Sequence, residues 1–238
     1  VDLKREWHKW FSPSLGRDME MLIFGHGGLP IIVFPTSGGK FYEFEDQGMI
    51  GAIAYKLERG EVQLFCVDSV DMESFYNRNV PPRWKIARHM QYEHYVMNEV
   101  LPLVRRMNQN PMLASMGCSF GGYHAANIAF RHPDVFTSML SLGGAFDVSG
   151  FLRGYYDQDC YFNLPTHYLP NMTDPWFLDR YRRNTYILGT GEWDICLRAN
   201  EDFARILHQK GIPVRLDVWR EGSKHDWPDW QRMIRLYL

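Results

Sequence analysis

Apolar residues in this chain gather in short unbroken runs: "PIIVFP" (30–35), "VQLFCVD" (62–68), "PMLASMGC" (111–118), "FTSMLSLGG" (136–144), "NTYILGTG" (184–191) and "VRLDVWR" (214–220). Most are continuous rather than alternating, the pattern of strands buried on both faces of a parallel sheet. Two earlier segments, 2–11 and 18–25, read as strands joined by the turn "SPSLGRD" and are expected to pair antiparallel at the sheet edge.

Helix-like stretches separate the later runs. "QGMIGAIAYKLERG" ends on Gly60, a C′ glycine. In "RWKIARHMQYEHYVMNEVLPLVRRM" the residues Ile86, Met90, Met97, Leu101 and Val104 fall on one expected inner face, and Pro102 predicts a kink. "GGYHAANIAFRH", "CLRANEDFARILHQKG" and "PDWQRMIRLYL" follow. Alternating strands and helices predict one α/β domain over 1–238. It holds a doubly wound, mostly parallel sheet of about eight strands with antiparallel edge strands.

One connection is too long for this rhythm. Between the sixth and seventh strands, residues 145–183 carry ten aromatic rings, among them Tyr155, Tyr156 and Trp176. Such a segment either caps the fold over a small core of its own or lines a binding site. Tyr155, Tyr156 and Trp176 are the candidate substrate contacts.

Composition narrows the function classes. The 238 residues carry a formal net charge of -2, which gives no electrostatic footprint for nucleic acid or an anionic membrane. No apolar stretch approaches the ~20 residues of a bilayer span. Four scattered cysteines (Cys66, Cys118, Cys160, Cys196) show no metal-ligand spacing and suit free thiols in a reducing compartment. "VDLKREWHKWF" has no apolar signal core, so a cytoplasmic location is expected unless a leader has been removed.

The chemistry concentrates at "MGCSFGGYH" (116–124). Gly117-Cys118-Ser119-Phe120-Gly121 lies between a strand and a helix, the context in which G-x-S-x-G holds an exposed nucleophile on a strained turn. A serine needs a base, and the base an orienting acid. "GEWD" offers Glu192 and Asp194 past the seventh strand, and "SKHDW" offers His225 past the last. Asp194 is preferred to Glu192. Asp226 and Asp229 read as helix-start residues, and His124 as a packing or solvent-facing residue. The Phe120 amide is one oxyanion donor. The loop "FPTSGG" supplies the second, Ser37 first and Gly38 as alternative. No Walker spacing accompanies these glycines.

"GCSFGGYHAANIAFRHPDVF", "FPTSGG", "GEWD" and "HDWPDW" together resemble the putative-esterase branch of the α/β-hydrolase superfamily, which includes esterase D and the feruloyl esterases. The resemblance spans nearly the whole chain. It implies an α/β-hydrolase fold, a Ser119–Asp194–His225 triad, a small-molecule ester substrate and no cofactor or metal. A serine carboxylesterase is the expected activity. An acyltransferase or a thioesterase resembling S-formylglutathione hydrolase would use the same triad, and a non-catalytic binding protein could keep the fold. The oligomeric state is left open.

Overall fold

A computed structural model describes residues 3–238. Eight strands form one sheet: β1 (Arg5–Ser12), β2 (Arg17–Phe24), β3 (Leu29–Phe34), β4 (Val62–Val67), β5 (Ala114–Cys118), β6 (Ser138–Leu142), β7 (Thr185–Gly191) and β8 (Arg215–Trp219). Their order is β1-β2-β4-β3-β5-β6-β7-β8. The β1/β2 and β2/β4 pairs are antiparallel, and every later pair is parallel. The expected start of the first strand at residue 2 lies outside the described residues. The architecture is the doubly wound, mostly parallel sheet read from the alternation of runs, in the α/β-hydrolase arrangement that the resemblance implied.

Burial explains why the central runs are continuous rather than alternating. Every residue of β4 and β5 is buried, because helices cover both faces of the sheet. Pro30 is tolerated in β3 because pairing with β5 begins one residue later, at Ile31↔Ala114. One core layer packs Phe34, Phe65, Tyr92, Val96, Phe130 and Tyr186. The opposite layer packs Leu22, Ile31, Leu64, Met116, Leu140 and Trp230.

Four long helices position the site: α1 (Pro82–Tyr95), α2 (Phe120–Arg131), α3 (Leu197–Gln209) and α4 (Trp227–Tyr237). The helix expected over 47–60 is instead two short turns, Met49–Ala52 and Ala54–Glu58, entered through the left-handed Gly48. In α1 the expected apolar face is rotated. The buried positions are Lys85, Ile86, His89, Tyr92, Glu93 and Tyr95, whereas Met90 is only partly buried. Polar residues win the inner face because each has a partner there: His89 meets Asn163 at 3.1 Å, and Glu93 meets Arg131 and His132. The predicted kink is a π-helical turn at Val96–Val100, placed just before Pro102, which has no N–H to give the ladder.

The 145–183 insertion does not bury a core of its own. Phe146, Tyr168, Leu169 and Tyr181 join the main core, and Val148, Leu152, Cys160 and Leu164 pack against Phe75, Phe120 and Tyr123. Phe151 and Tyr181 are ring partners of α2, and Phe146 stacks on Phe203 of α3. Among the described residues no helix is long and apolar enough to cross a membrane.

Candidate active site

The loops that leave β3, β5, β6, β7 and β8 emerge at the carboxyl ends of parallel strands, the edge where open α/β sheets build their sites. The turn after β5 is the tightest. Ser119 has φ 54° and ψ -121°, a left-handed backbone that side chains rarely adopt. The surroundings hold it there: its N–H donates to Leu142 O at 2.9 Å, and its C=O accepts from Gly122 N at 2.9 Å and Ala145 N at 3.1 Å. A Cβ on Gly117 would stand 2.2 Å from the Gly121 backbone, and one on Gly121 would stand 2.4 Å from Phe34 O. Both glycines are required by close approach.

Ser119 Oγ lies 2.8 Å from His225 Nε2, and His225 Nδ1 lies 2.7 Å from Asp194 Oδ1. The Asp194 side chain is fully buried, and Oδ1 also accepts from Cys196 N at 2.7 Å. Burial pulls the His225 imidazole down, but its hydrogen bonds to Asp194 and Cys196 outweigh that and leave it raised to about 9. The donor atoms of Asp194, Cys196 and His225 lie within 4.8 Å of one another, a spacing that could hold a metal ion. Here the carboxylate and the imidazole are engaged with each other.

Glu192, the alternative acid, does different work. Its Oε1 accepts from Gly222 N at 2.8 Å and braces a turn in which Glu221 and Gly222 both have positive φ. That turn delivers His225. Asp226 caps α4 through Trp227 N at 2.8 Å, and Asp229 accepts from Lys224 N at 2.8 Å. Both are helix-start residues.

The Phe120 N–H opens α2 and belongs to the first-turn amides that have no intrahelical acceptor. Across the cleft, Thr36 to Gly39 form a turn closed by Gly39 N to Thr36 O at 2.9 Å, with Gly38 at φ +66°. Ser37 sits at its apex. Glu43 fixes this loop by accepting from Thr36 N at 2.8 Å and Thr36 Oγ1 at 2.6 Å, and burial pushes its carboxyl pKa up.

The insertion residues divide. Tyr155 packs against the cluster that contains Phe120, with its hydroxyl donating to Asp157 Oδ2 at 2.6 Å. Tyr156 and Trp176 are 52 % and 42 % exposed, and their partners lie within the insertion: His167 for the first, Phe177 and Arg180 for the second.

Sequence reading did not single out Asp71, Tyr76 or Trp230, and gave His124 only as a packing or solvent-facing residue. Tyr76 packs edge-on to Phe120 and tilted against Phe151, with its hydroxyl beside Ser37. His124 is buried, and its Nε2 pairs with Asp71 Oδ1 at 2.8 Å. Trp230 sets its ring edge-on to His225, with centroids 4.9 Å apart. The only hint for Asp71 and Tyr76 was their place just beyond a strand's carboxyl end.

Residues 12–235 match the protein family described as putative esterase. The chain belongs to this family. Membership makes it a carboxylic ester hydrolase. No protein of curated function matches the sequence. Among solved structures, a ferulic acid esterase aligns over 100% of this chain and 96% of its own, with TM-score 0.77 at 17% identity. An S-formylglutathione hydrolase from Agrobacterium tumefaciens aligns over the same shares, with TM-score 0.75 at 15% identity. MPT51 from Mycobacterium tuberculosis covers 97% of this chain and 96% of its own, with TM-score 0.72 at 12% identity. At these identities the esterase shares the fold of all three.

Proposed function

We propose that this esterase hydrolyses small or sugar-linked carboxylic esters through a Ser119–His225–Asp194 triad and a covalent acyl-enzyme. The observation that carries the reading is the continuous hydrogen-bonded line from Ser119 Oγ through His225 to Asp194, at 2.8 and 2.7 Å, starting from a serine in a strained turn. His225 takes the Oγ proton as Ser119 attacks the ester carbonyl, and Asp194 orients the imidazolium. The amides of Phe120 and of Ser37, or else Gly38, donate to the oxyanion; losing one such donor costs ~3–4 kcal/mol in the barrier. His225 then gives its proton to the departing alcohol. Water, deprotonated by His225, attacks the acyl-serine and releases the acid.

Tyr155, Tyr156 and Trp176 are proposed to line the substrate's path. The packing of Tyr155 against the Phe120 cluster and the exposure of the other two rings support this. A ring-bearing or sugar ester is the class that such rings would hold. The likeness to a ferulic acid esterase points the same way, whereas the likeness to S-formylglutathione hydrolase makes a thioester the competing substrate.

The test is hydrolysis of p-nitrophenyl esters from acetate to decanoate, with feruloyl and acetyl sugar esters and a thioester in parallel, by wild type and Ser119→Ala. Oxygen-ester turnover that disappears in the variant is expected. Equal rates in both proteins would remove Ser119 as nucleophile. A preference for thioesters, or for an added alcohol over water, would move the assignment to a thioesterase or an acyltransferase.

A further inference from the structure

Three polar atoms, from the loop after β7, the loop after β8 and α4, converge on one missing side chain. A Cβ on Gly143, at the end of β6, would lie 2.7 Å from Asp194 Oδ2, 3.0 Å from His225 Nδ1 and 3.2 Å from Trp230 Nε1. Gly143 has φ +58°, and its N–H is held by Gly189 O at 2.7 Å, so this notch is a fixed part of the backbone, closed down to the bare Cα. Any side chain at this position would collide with the three atoms.

The hydrogen bonding around the notch is uneven. Asp194 Oδ1 has two donors, His225 Nδ1 and Cys196 N. Asp194 Oδ2 is buried with no partner among the described residues, and so is Trp230 Nε1. One is an oxygen of an acceptor-only carboxylate, and the other belongs to a donor-only indole. Buried polar atoms left unpaired are costly, and an orphan acceptor and an orphan donor bordering the same small space answer each other's need.

We propose that the Trp230 indole N–H closes onto the second oxygen of Asp194 by a small turn of the side chains over the bare Cα of Gly143, and that Trp230 is thereby a positioning residue for the triad. The inference rests on the triad reading above. A carboxylate gripped at both oxygens cannot rotate about its Cβ–Cγ bond, so Oδ1 stays aimed at His225 Nδ1. The N–H also shares the carboxylate's charge and keeps it from holding the imidazolium too tightly, which a base that must return its proton requires. The same indole sets its ring edge-on to His225, so α4 contacts both members of the pair.

The experiment compares Trp230→Phe with Trp227→Phe. Phenylalanine at 230 keeps a ring beside His225 but removes the N–H together with part of the indole's packing, a loss that the Trp227→Phe control shares. Trp227 packs on Trp230 and Phe44 and serves as the packing control. Three quantities are read in each protein: the His225 titration by NMR, kcat and KM on p-nitrophenyl acetate, and the melting temperature. Trp230→Phe is expected to lower kcat about tenfold at unchanged KM and to move the His225 titration to higher pH. Trp227→Phe is expected to move neither.

An unshifted titration in Trp230→Phe, or an equal shift in Trp227→Phe, overturns the proposal. Should Trp230→Phe fail to fold, the indole spectrum of the wild type decides. A slowly exchanging Trp230 N–H that shifts as His225 titrates supports the contact, and a freely exchanging one that ignores it refutes it. These spectra need no turnover. A protein inert toward every ester would therefore sink the triad assignment and leave the Trp230–Asp194 contact separately judged.

Discussion

Gly117 and Gly121 face each other across the serine turn so closely that a Cβ on the first would stand 2.2 Å from the carbonyl of the second. Neither partner can yield, because both contacts are main chain. Gly117→Ala is therefore expected to cost about 3 kcal/mol or more by forced backbone displacement. It should also abolish ester turnover, since Ser119 is carried on the displaced turn. Urea unfolding with activity on p-nitrophenyl acetate checks both. An alanine variant with wild-type midpoint and rate would show that the turn is looser than its contacts imply.

His225 gives opposite signs for activity and stability. Only the neutral imidazole can take the serine proton, and its pKa is raised to about 9. The kcat/KM is expected to climb from neutrality and level off above about pH 9. A group raised on folding stabilises fully below its unfolded value of about 6.5 and loses that contribution as pH rises through its folded value. Stability from this group should thus fall over the window in which activity grows. A pH–rate profile flat from 6 to 9 would contradict the assignment.

Glu93 supplies the acid-side counterpart. Burial opposes its charge, but His132 at 2.7 Å and Arg131 at 2.8 Å overcome that and lower it to about 2. Its contribution is present above the unfolded value of about 4.3 and is lost as pH falls through about 2. Glu93→Gln should destabilise by about 2 kcal/mol at pH 7, a value kept modest because both partners are a quarter exposed. Denaturation midpoints at pH 7 and pH 3 should lie closer together in the variant than in the wild type.

Glu43 holds the proposed oxyanion loop without touching the proposed reacting atoms. Glu43→Ala frees Thr36 at both its amide and its hydroxyl. It is expected to lower kcat about tenfold, with little change in KM for a short ester. Glu43→Gln keeps an acceptor and should recover part of the rate. Identical rates for the two variants would show that the loop holds its shape unaided.

Much of this architecture was legible because the strands are buried on both faces and so stand out as unbroken apolar runs. The strand–turn–helix context made Ser119 readable, and the strand-end positions of Asp194 and His225 followed from chain order. What stayed hidden depends on contacts distant in sequence. The inner face of α1 could not be read because Glu93 and His89 look like solvent-facing residues until Arg131, His132 and Asn163 are brought to them. His124 finds Asp71, 53 positions away, and Trp230 meets His225 only once α4 has folded back on the sheet. Glu192 and Asp194, two residues apart, were separable only by where each carboxylate ends.

Ser119 and His225 come from positions 106 residues apart, and His225 follows β8, an edge strand of the sheet. β8 pairs with β7 alone and has no fully buried residue, whereas β5, which carries the serine, is buried throughout. The edge of the sheet can therefore open at a free energy well below that needed to melt its centre. Catalysis then reports on the mooring of one peripheral strand rather than on global integrity. Rising urea should silence the enzyme while circular dichroism and core fluorescence still register a native fold, leaving a dormant form that regains activity on dilution.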